Sequence, residues 1–250
     1  MATGASDSVT DNRQKDELGF DDLVEDTFGL NLKGVQSILV LFRKPQAYFE
    51  AALDPDWLKT YTPSIRLWFS VTAVIFFFNF LWADTDASTI QAMITSLDES
   101  GMELPAGVTS ETAALTLARW WFGFLPFTTM AFYLLLGYLW PWWGRPLTAT
   151  LRIRNVFATV VPGTVLTLFT TLGMAWLPAS WFLPYYVLVI LMVFAVDSAT
   201  AWRGLFTGLS GWGRHGRALL LGGATALAAL TASFVAQMLG LVTIYLFYFP

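Results

Sequence analysis

The rhythm of hydrophobic positions changes once along the chain, and the change divides it. From Phe20 apolar residues recur three and four apart, first as Phe20, Leu23, Val24 and Phe28, then as Val35, Ile38, Leu39 and Phe42. This period places each set on one face of a helix, so two amphipathic helices are predicted. Gly29 and Gly34 are expected to bend or break them. The second should end at Arg43-Lys44, where cations suit a helix C-terminus, and Pro45 prevents its continuation. Helices this short cannot span a bilayer. They are expected to lie on the membrane surface or on the protein's own cytoplasmic face, with Tyr48, Phe49, Leu53 and Trp57 as interface anchors.

Past Tyr61 the periodicity gives way to long apolar runs. From Leu67 to Ala83 there is no charge at all. Five such runs are predicted to cross a hydrocarbon core of roughly 30 Å, at about 63–83, 119–140, 155–176, 181–202 and 218–248. Thr62 is expected to cap the first, with Pro63 in its first turn. Trp120-Trp121 and the group Trp140, Trp142 and Trp143 bracket the second as an aromatic belt. Pro126 should kink that helix, and the third should break near Pro162-Gly163. The fifth is longer than the bilayer is thick, so it must tilt or protrude. Residues 84–118 leave the membrane. Within them Ile90, Ile94 and Leu97 mark one face of a short helix that Gly101 ends, and Thr109 or Ser110 starts the next. The expected fold class is an all-α integral membrane protein, with five transmembrane helices preceded by cytoplasmic amphipathic helices. The chain divides into a disordered acidic tail over 1–17, interfacial helices over 18–62 and a transmembrane domain over 63–250.

Composition supports lipid as the solvent. Of the 250 residues 56% are hydrophobic and only 13% charged, against about 25% charged in ordinary soluble domains. The distribution of charge then sets an orientation. Residues 1–30 hold eight acids, and the stretch 84–118 holds six. The loops 144–154 and 202–217 each hold three arginines and no acid. By the positive-inside rule the N-terminus is expected in the cytoplasm and the C-terminus outside. The start of the chain lacks the basic and apolar regions of a signal peptide. With no cysteine and one histidine, thiolate chemistry is excluded, a histidine metal site is disfavoured, and no cofactor is expected.

Few side chains carry candidate chemistry. Asp197 lies inside the fourth span, where an ionisable group costs about 3 kcal/mol and marks a functional hypothesis by default. It is either a proton or cation site, or one half of an ion pair with Arg152, Arg154 or Arg203. The ion pair is preferred, because a single carboxylate is thin for a proton relay. Arg145, Arg203, Arg214 and Arg217, with Trp202 and Trp212, suit anionic lipid headgroups on the inner leaflet. Arg119, Asn79 and Gln237 are polar groups near the outer edge. Arg119 is expected to pair with Asp84, Asp86 or Glu111, or to snorkel. Ala228, Ala232, Ala236 and Gly240, four apart, form a small-residue stripe for helix packing. The threonines of the third span (Thr159, Thr164, Thr167, Thr170 and Thr171) are expected to satisfy backbone around Pro162 rather than to line a path. Gly211-Trp212-Gly213-Arg214-His215-Gly216 matches a dinucleotide-binding pattern by letter, but no strand precedes it, so that reading is rejected.

The series Phe42-Arg43, Pro45, Tyr48, Tyr61, Pro63 and Arg66, followed at once by an aromatic-rich span, resembles an uncharacterised bacterial multi-pass membrane family, a domain of unknown function. Its members often carry an N-terminal zinc ribbon. That ribbon is absent from this cysteine-free chain, so no zinc role transfers. The resemblance covers residues 20–83 and implies a bacterial inner-membrane protein without implying an activity. By span count alone the chain is also similar to five-span Yip-type proteins. The expected function is a non-catalytic scaffold, accessory subunit or lipid-interacting component. The alternative is a transporter or channel for a small solute that uses Asp197. Expected partners are the lipid bilayer and anionic lipids, with a membrane-protein partner or a second copy of the chain left open. Nothing points to nucleic acid. With no paired acids, HExxH or GxSxG, no enzyme is expected.

Overall fold

The computed structural model describes residues 32–248 except Pro55, Thr85, Met102, Glu103, Pro105, Ala106, Arg145, Ala175 and Trp176. The expected acidic tail, the first amphipathic stretch, Gly29 and Arg145 therefore lie outside the described residues. Among the described residues every regular element is helical: α1 (Leu32–Arg43), α2 (Pro45–Ala51), α3 (Ser64–Leu81), α4 (Ser88–Ser100), α5 (Ser110–Leu139), α6 (Ala149–Met174), α7 (Phe182–Thr200) and α8 (Gly211–Tyr248). Short 3-10 turns lie at Trp57–Lys59 and Ala179–Trp181, and α7 runs on into a wide π turn at Ala201–Leu205. Five of the helices (α3, α5, α6, α7 and α8) are long and apolar enough to cross a membrane. The protein is an all-α, multi-pass membrane protein.

Its surfaces are inverted relative to a water-soluble bundle. The buried residues of α7 are Asp197, Ser198 and Thr200, whereas Leu183, Val187, Leu188 and Leu191 face outward. Phe77 and Phe80 on α3, Phe127 and Leu139 on α5, and Leu227 and Phe234 on α8 are likewise exposed. Lipid solvates such side chains, while polar groups turn inward to find partners.

Helix contact is set by small residues. The stripe Ala228, Ala232, Ala236 and Gly240 is buried, and at Gly240 it meets Leu117, Trp120 and Trp121 of α5. Gly137 of α5 lets α6 approach so closely that a Cβ at that position would lie 2.7 Å from the Ile153 Cα. On the acidic side of the bundle α4 lies across the helix ends. Its face Ile90, Ile94 and Leu97 packs on Ala114, Ala118 and Phe122 of α5, and Gly101 (φ +62°) ends it.

Helix α5 begins at Ser110 as expected, capped by Thr109 accepting the Thr112 N–H, and runs unbroken into the span expected from Arg119. Several other boundaries and irregularities differ from expectation. Helix α8 begins at Gly211, so the glycine-rich basic segment forms its first turns and not a loop. Pro162 does not break α6, which is continuous through it. The hydroxyls of Thr159, Thr164 and Thr167 donate to the carbonyls of Asn155, Val160 and Gly163 at 2.8, 2.8 and 3.0 Å, and so find partners within their own helix on either side of Pro162. Thr62 does not cap α3 with its hydroxyl; Pro63 holds the cap position.

The backbone of Thr62 is used instead. Its N–H donates to Ser37 Oγ at 2.9 Å, and its carbonyl accepts from Tyr48 Oη at 2.7 Å. Burial pushes the Tyr48 phenol well above its ordinary pKa and keeps it a donor. This clamp explains which face of α1 packs. Gly34, Ser37 and Leu41 are buried, so Gly34 is a packing position inside α1 and does not break it. The periodic apolar face points away: Val35 is 48% exposed, Leu39 47% and Phe42 38%.

The far end of α1 is held by Arg203. Its guanidinium donates to the carbonyls of Phe42 and Arg43 at 3.0 and 2.6 Å, two of the orphan acceptors at the helix C-terminus. Beside it Gly204 admits the Phe49 ring and Pro45, which a Cβ would strike. Arg203→Ala should therefore cost about 1–2 kcal/mol, seen as faster amide exchange in α1 with exchange in the spans unchanged. Arg203→Lys should recover part of the protection, because one ammonium does not match two carbonyls as a planar fork does.

Candidate functional site: an intramembrane cavity at Asp197

All five spanning helices line one partly open cavity of about 270 Å³. Trp68, Thr72 and Asn79 come from α3; Trp121, Phe122 and Tyr133 from α5; Thr164, Thr167, Thr170 and Thr171 from α6; Tyr186 and Asp197 from α7; and Ser233 from α8. Trp121 and Tyr133 are twelve residues apart on α5, so the cavity extends along the bundle for about 18 Å at 1.5 Å per residue.

Asp197 borders this cavity with no exposure to solvent. Its Oδ2 accepts from Thr225 Oγ1 of α8 at 3.0 Å. Its Oδ1 has no partner. The position is built by close helix approach on both sides. Gly163 of α6 leaves room for Oδ1, which any Cβ there would strike. Gly222 of α8, one turn before Thr225, packs against Ser198 and the Phe194 carbonyl. Two further polar atoms of the wall, Thr72 Oγ1 and Trp121 Nε1, are also buried and unpartnered. Each such group costs roughly 1–3 kcal/mol if left unsatisfied, and all three atoms are closed off within the packed wall.

The expected ion pair is not formed, which corrects the preferred reading of Asp197. Arg203 is committed to α1. Arg154 lies over the Trp57 ring at 5.3 Å from its centroid. Arg152 donates from Nε to the Leu147 carbonyl at 3.0 Å. Each has a cheaper partner near the helix ends than a carboxylate buried deeper, where both charges would be stripped of water. The threonine expectation is corrected in part. Thr164, Thr167 and Thr170 do bond to backbone, yet with Thr171 they line the cavity, while Thr159 is buried away from it.

The remaining candidates scatter. Arg214 stacks over Trp202 at 4.7 Å and donates from Nε to the Trp202 carbonyl at 2.8 Å. Trp212 is 93% exposed, and Arg217 sits by Gly144. Asn79 joins the cavity at the end nearest α4, where Thr89 also contributes. Gln237 is half-buried on α8 and takes no part. Arg119 stands exposed and pairs with no described carboxylate. Sequence reasoning missed Thr225, Thr72, Tyr133 and Ser233. Each is a polar residue inside an apolar run, which is the one signal that could have singled them out.

The chain matches no protein-family model, no curated protein and no solved structure.

Proposed function

We propose that the protein is a bacterial inner-membrane protein with its N-terminus in the cytoplasm and its C-terminus outside, and that its bundle encloses a chamber for a small solute, as in a transporter or channel. One observation carries the reading: Asp197 borders a cavity with a free oxygen and is not clamped on an arginine. Orientation rests on the arginines at the starts of α3, α6 and α8 and just after α7 (Arg66; Arg152 and Arg154; Arg214 and Arg217; Arg203), which an alternating bundle brings to one side. Bacterial origin rests on the resemblance across residues 42–66.

The absence of cysteine makes the test direct. Thr167→Cys, in the cavity wall, should react with a small water-soluble thiosulfonate at least about tenfold faster than Ala232→Cys, which lies in the dry seam between α5 and α8. Equal inertness of the two would remove the chamber. In right-side-out vesicles an impermeant maleimide should label Ser96→Cys in α4 and spare Gly208→Cys in the turn before α8; the reverse pattern would invert the orientation.

The second reading, a scaffold or accessory subunit, draws on the outward apolar face of α1. It expects Asp197→Asn to change only the yield of folded protein and Thr167→Cys to stay silent.

A further inference from the structure

The walls of the chamber differ sharply in charge from its surroundings. Asp197 is the single carboxylate among the lining residues, and no arginine, lysine or histidine joins it. The titratable groups facing it there are the phenols of Tyr133 and Tyr186. The basic residues Arg152, Arg154 and Arg203 are held by backbone carbonyls or a ring outside the cavity. An anionic solute would thus meet a carboxylate and no counter-charge.

A strongly polar neutral solute fits no better. It needs many hydrogen-bond partners, and the hydroxyls of Thr164, Thr167 and Thr170 in the wall already donate to backbone carbonyls. A bare divalent cation wants about six or more oxygens around one point, and Asp197 offers one carboxylate there. Most of the wall is aromatic or aliphatic: Trp68, Phe76, Phe122, Tyr133, Phe182 and Tyr186 all contribute. Ring faces of this kind attract an organic cation, the more so out of water.

We infer that the chamber binds a compact hydrophobic organic cation, with an ammonium group drawn to the carboxylate of Asp197, whose Oδ1 lies against Gly163, and an apolar body lying along the aromatic wall. This rests on the chamber being a binding site and adds the class of solute. An ammonium supplies both a donor and a counter-charge at Asp197, and is the most compact organic group that does so. The apolar body matches a cavity whose sides are the faces of five hydrophobic helices.

The test uses the full chain in lipid nanodiscs, with empty nanodiscs as blank, and calorimetric titration of 4-phenylbutylammonium against the isosteric 4-phenylbutanol. The wild type should bind the ammonium at least about tenfold more tightly, as expected for a hydrogen bond to a charged acceptor. Asp197→Glu should keep the preference, and Asp197→Asn should bring the two ligands within about twofold. Equal binding of both by the wild type overturns the inference, and needs no variant to fold. Equal binding combined with a reactive Thr167→Cys leaves the chamber standing and removes the cation. An inert Thr167→Cys with no binding of either ligand removes both.

Discussion

Gly222→Val is expected to lower the melting temperature of the protein in detergent by roughly 10 °C. A side chain at this position meets the Ser198 hydroxyl first and, behind it, backbone that cannot swing aside. Its Cβ would lie 3.0 Å from the Ser198 N and 3.1 Å from the Phe194 carbonyl oxygen, and would also strike Ser198 Oγ. Helices α7 and α8 must then move apart. Overpacking of this kind costs about 1–3 kcal/mol. The separation also strains the Thr225–Asp197 hydrogen bond one turn away, adding about 1 kcal/mol. In a chain of this length each kcal/mol is worth about 2–4 °C. Gly213, which has nothing within 4 Å of its would-be Cβ, provides the control: Gly213→Ala should leave the transition in place. A wild-type melting curve for Gly222→Val would refute the close approach of α7 and α8.

Phe157→Ala is the second large effect, with an expected loss of about 3 kcal/mol. Phe157 is fully buried on α6. Its ring meets Trp68 of α3 edge-on at 5.3 Å and Tyr133 of α5 at 5.9 Å, and those two meet each other at 5.9 Å. This three-ring cluster joins three spans, and Trp68 and Tyr133 are also wall residues of the cavity. In a bilayer, dispersion between packed rings replaces the hydrophobic drive that operates in water, so the loss falls on packing. Phe157→Leu should recover about half. The variant should also let Trp68 and Tyr133 relax, raising the rate of Thr167→Cys modification. If unfolding in a mild denaturing detergent is unchanged, the cluster does not tie the spans together.

Hydropathy made the spans legible because a long uncharged run is at home in lipid and costly almost anywhere else. It placed their ends poorly for a physical reason: it senses the lipid and not the helix. The first turns of α5 hold Ala114, Leu115 and Ala118, which pack under α4 beyond the apolar run. Their helicity comes from that contact. The glycines at the start of α8 suggested a loop, yet Arg214 fastens that turn to the Trp202 carbonyl. Periodicity found the apolar face of α1 but not its direction, since a membrane and a protein core attract the same residues. The choice was made by Ser37, whose hydroxyl is needed by the Thr62 N–H.

Asp197 was visible as an anomaly, and its partner was not. Thr225 lies 28 residues away, among small residues that announce packing and nothing more. Arginines near in sequence made an ion pair the natural guess. A void leaves no trace in a linear pattern, because each wall residue looks like an ordinary member of its own helix. Only the convergence of five helices reveals that their polar residues face a shared space.

The turn at Ala201–Leu205 closes with the N–H of Phe206 reaching the carbonyl of Ala201, five residues back, at 3.1 Å. One surplus residue in a helix is a phase error of about 100°. Here that error is the setting: it aims Arg203 and Gly204 at α1 and α2, while Asp197, a turn and a half earlier, keeps its inward azimuth. Trimming one residue would return the segment to regular winding and send the guanidinium elsewhere. The N-terminal pair would lose its anchorage even though no contact residue had been altered. What docks that pair is therefore an angle, and a deletion would be more damaging there than any substitution.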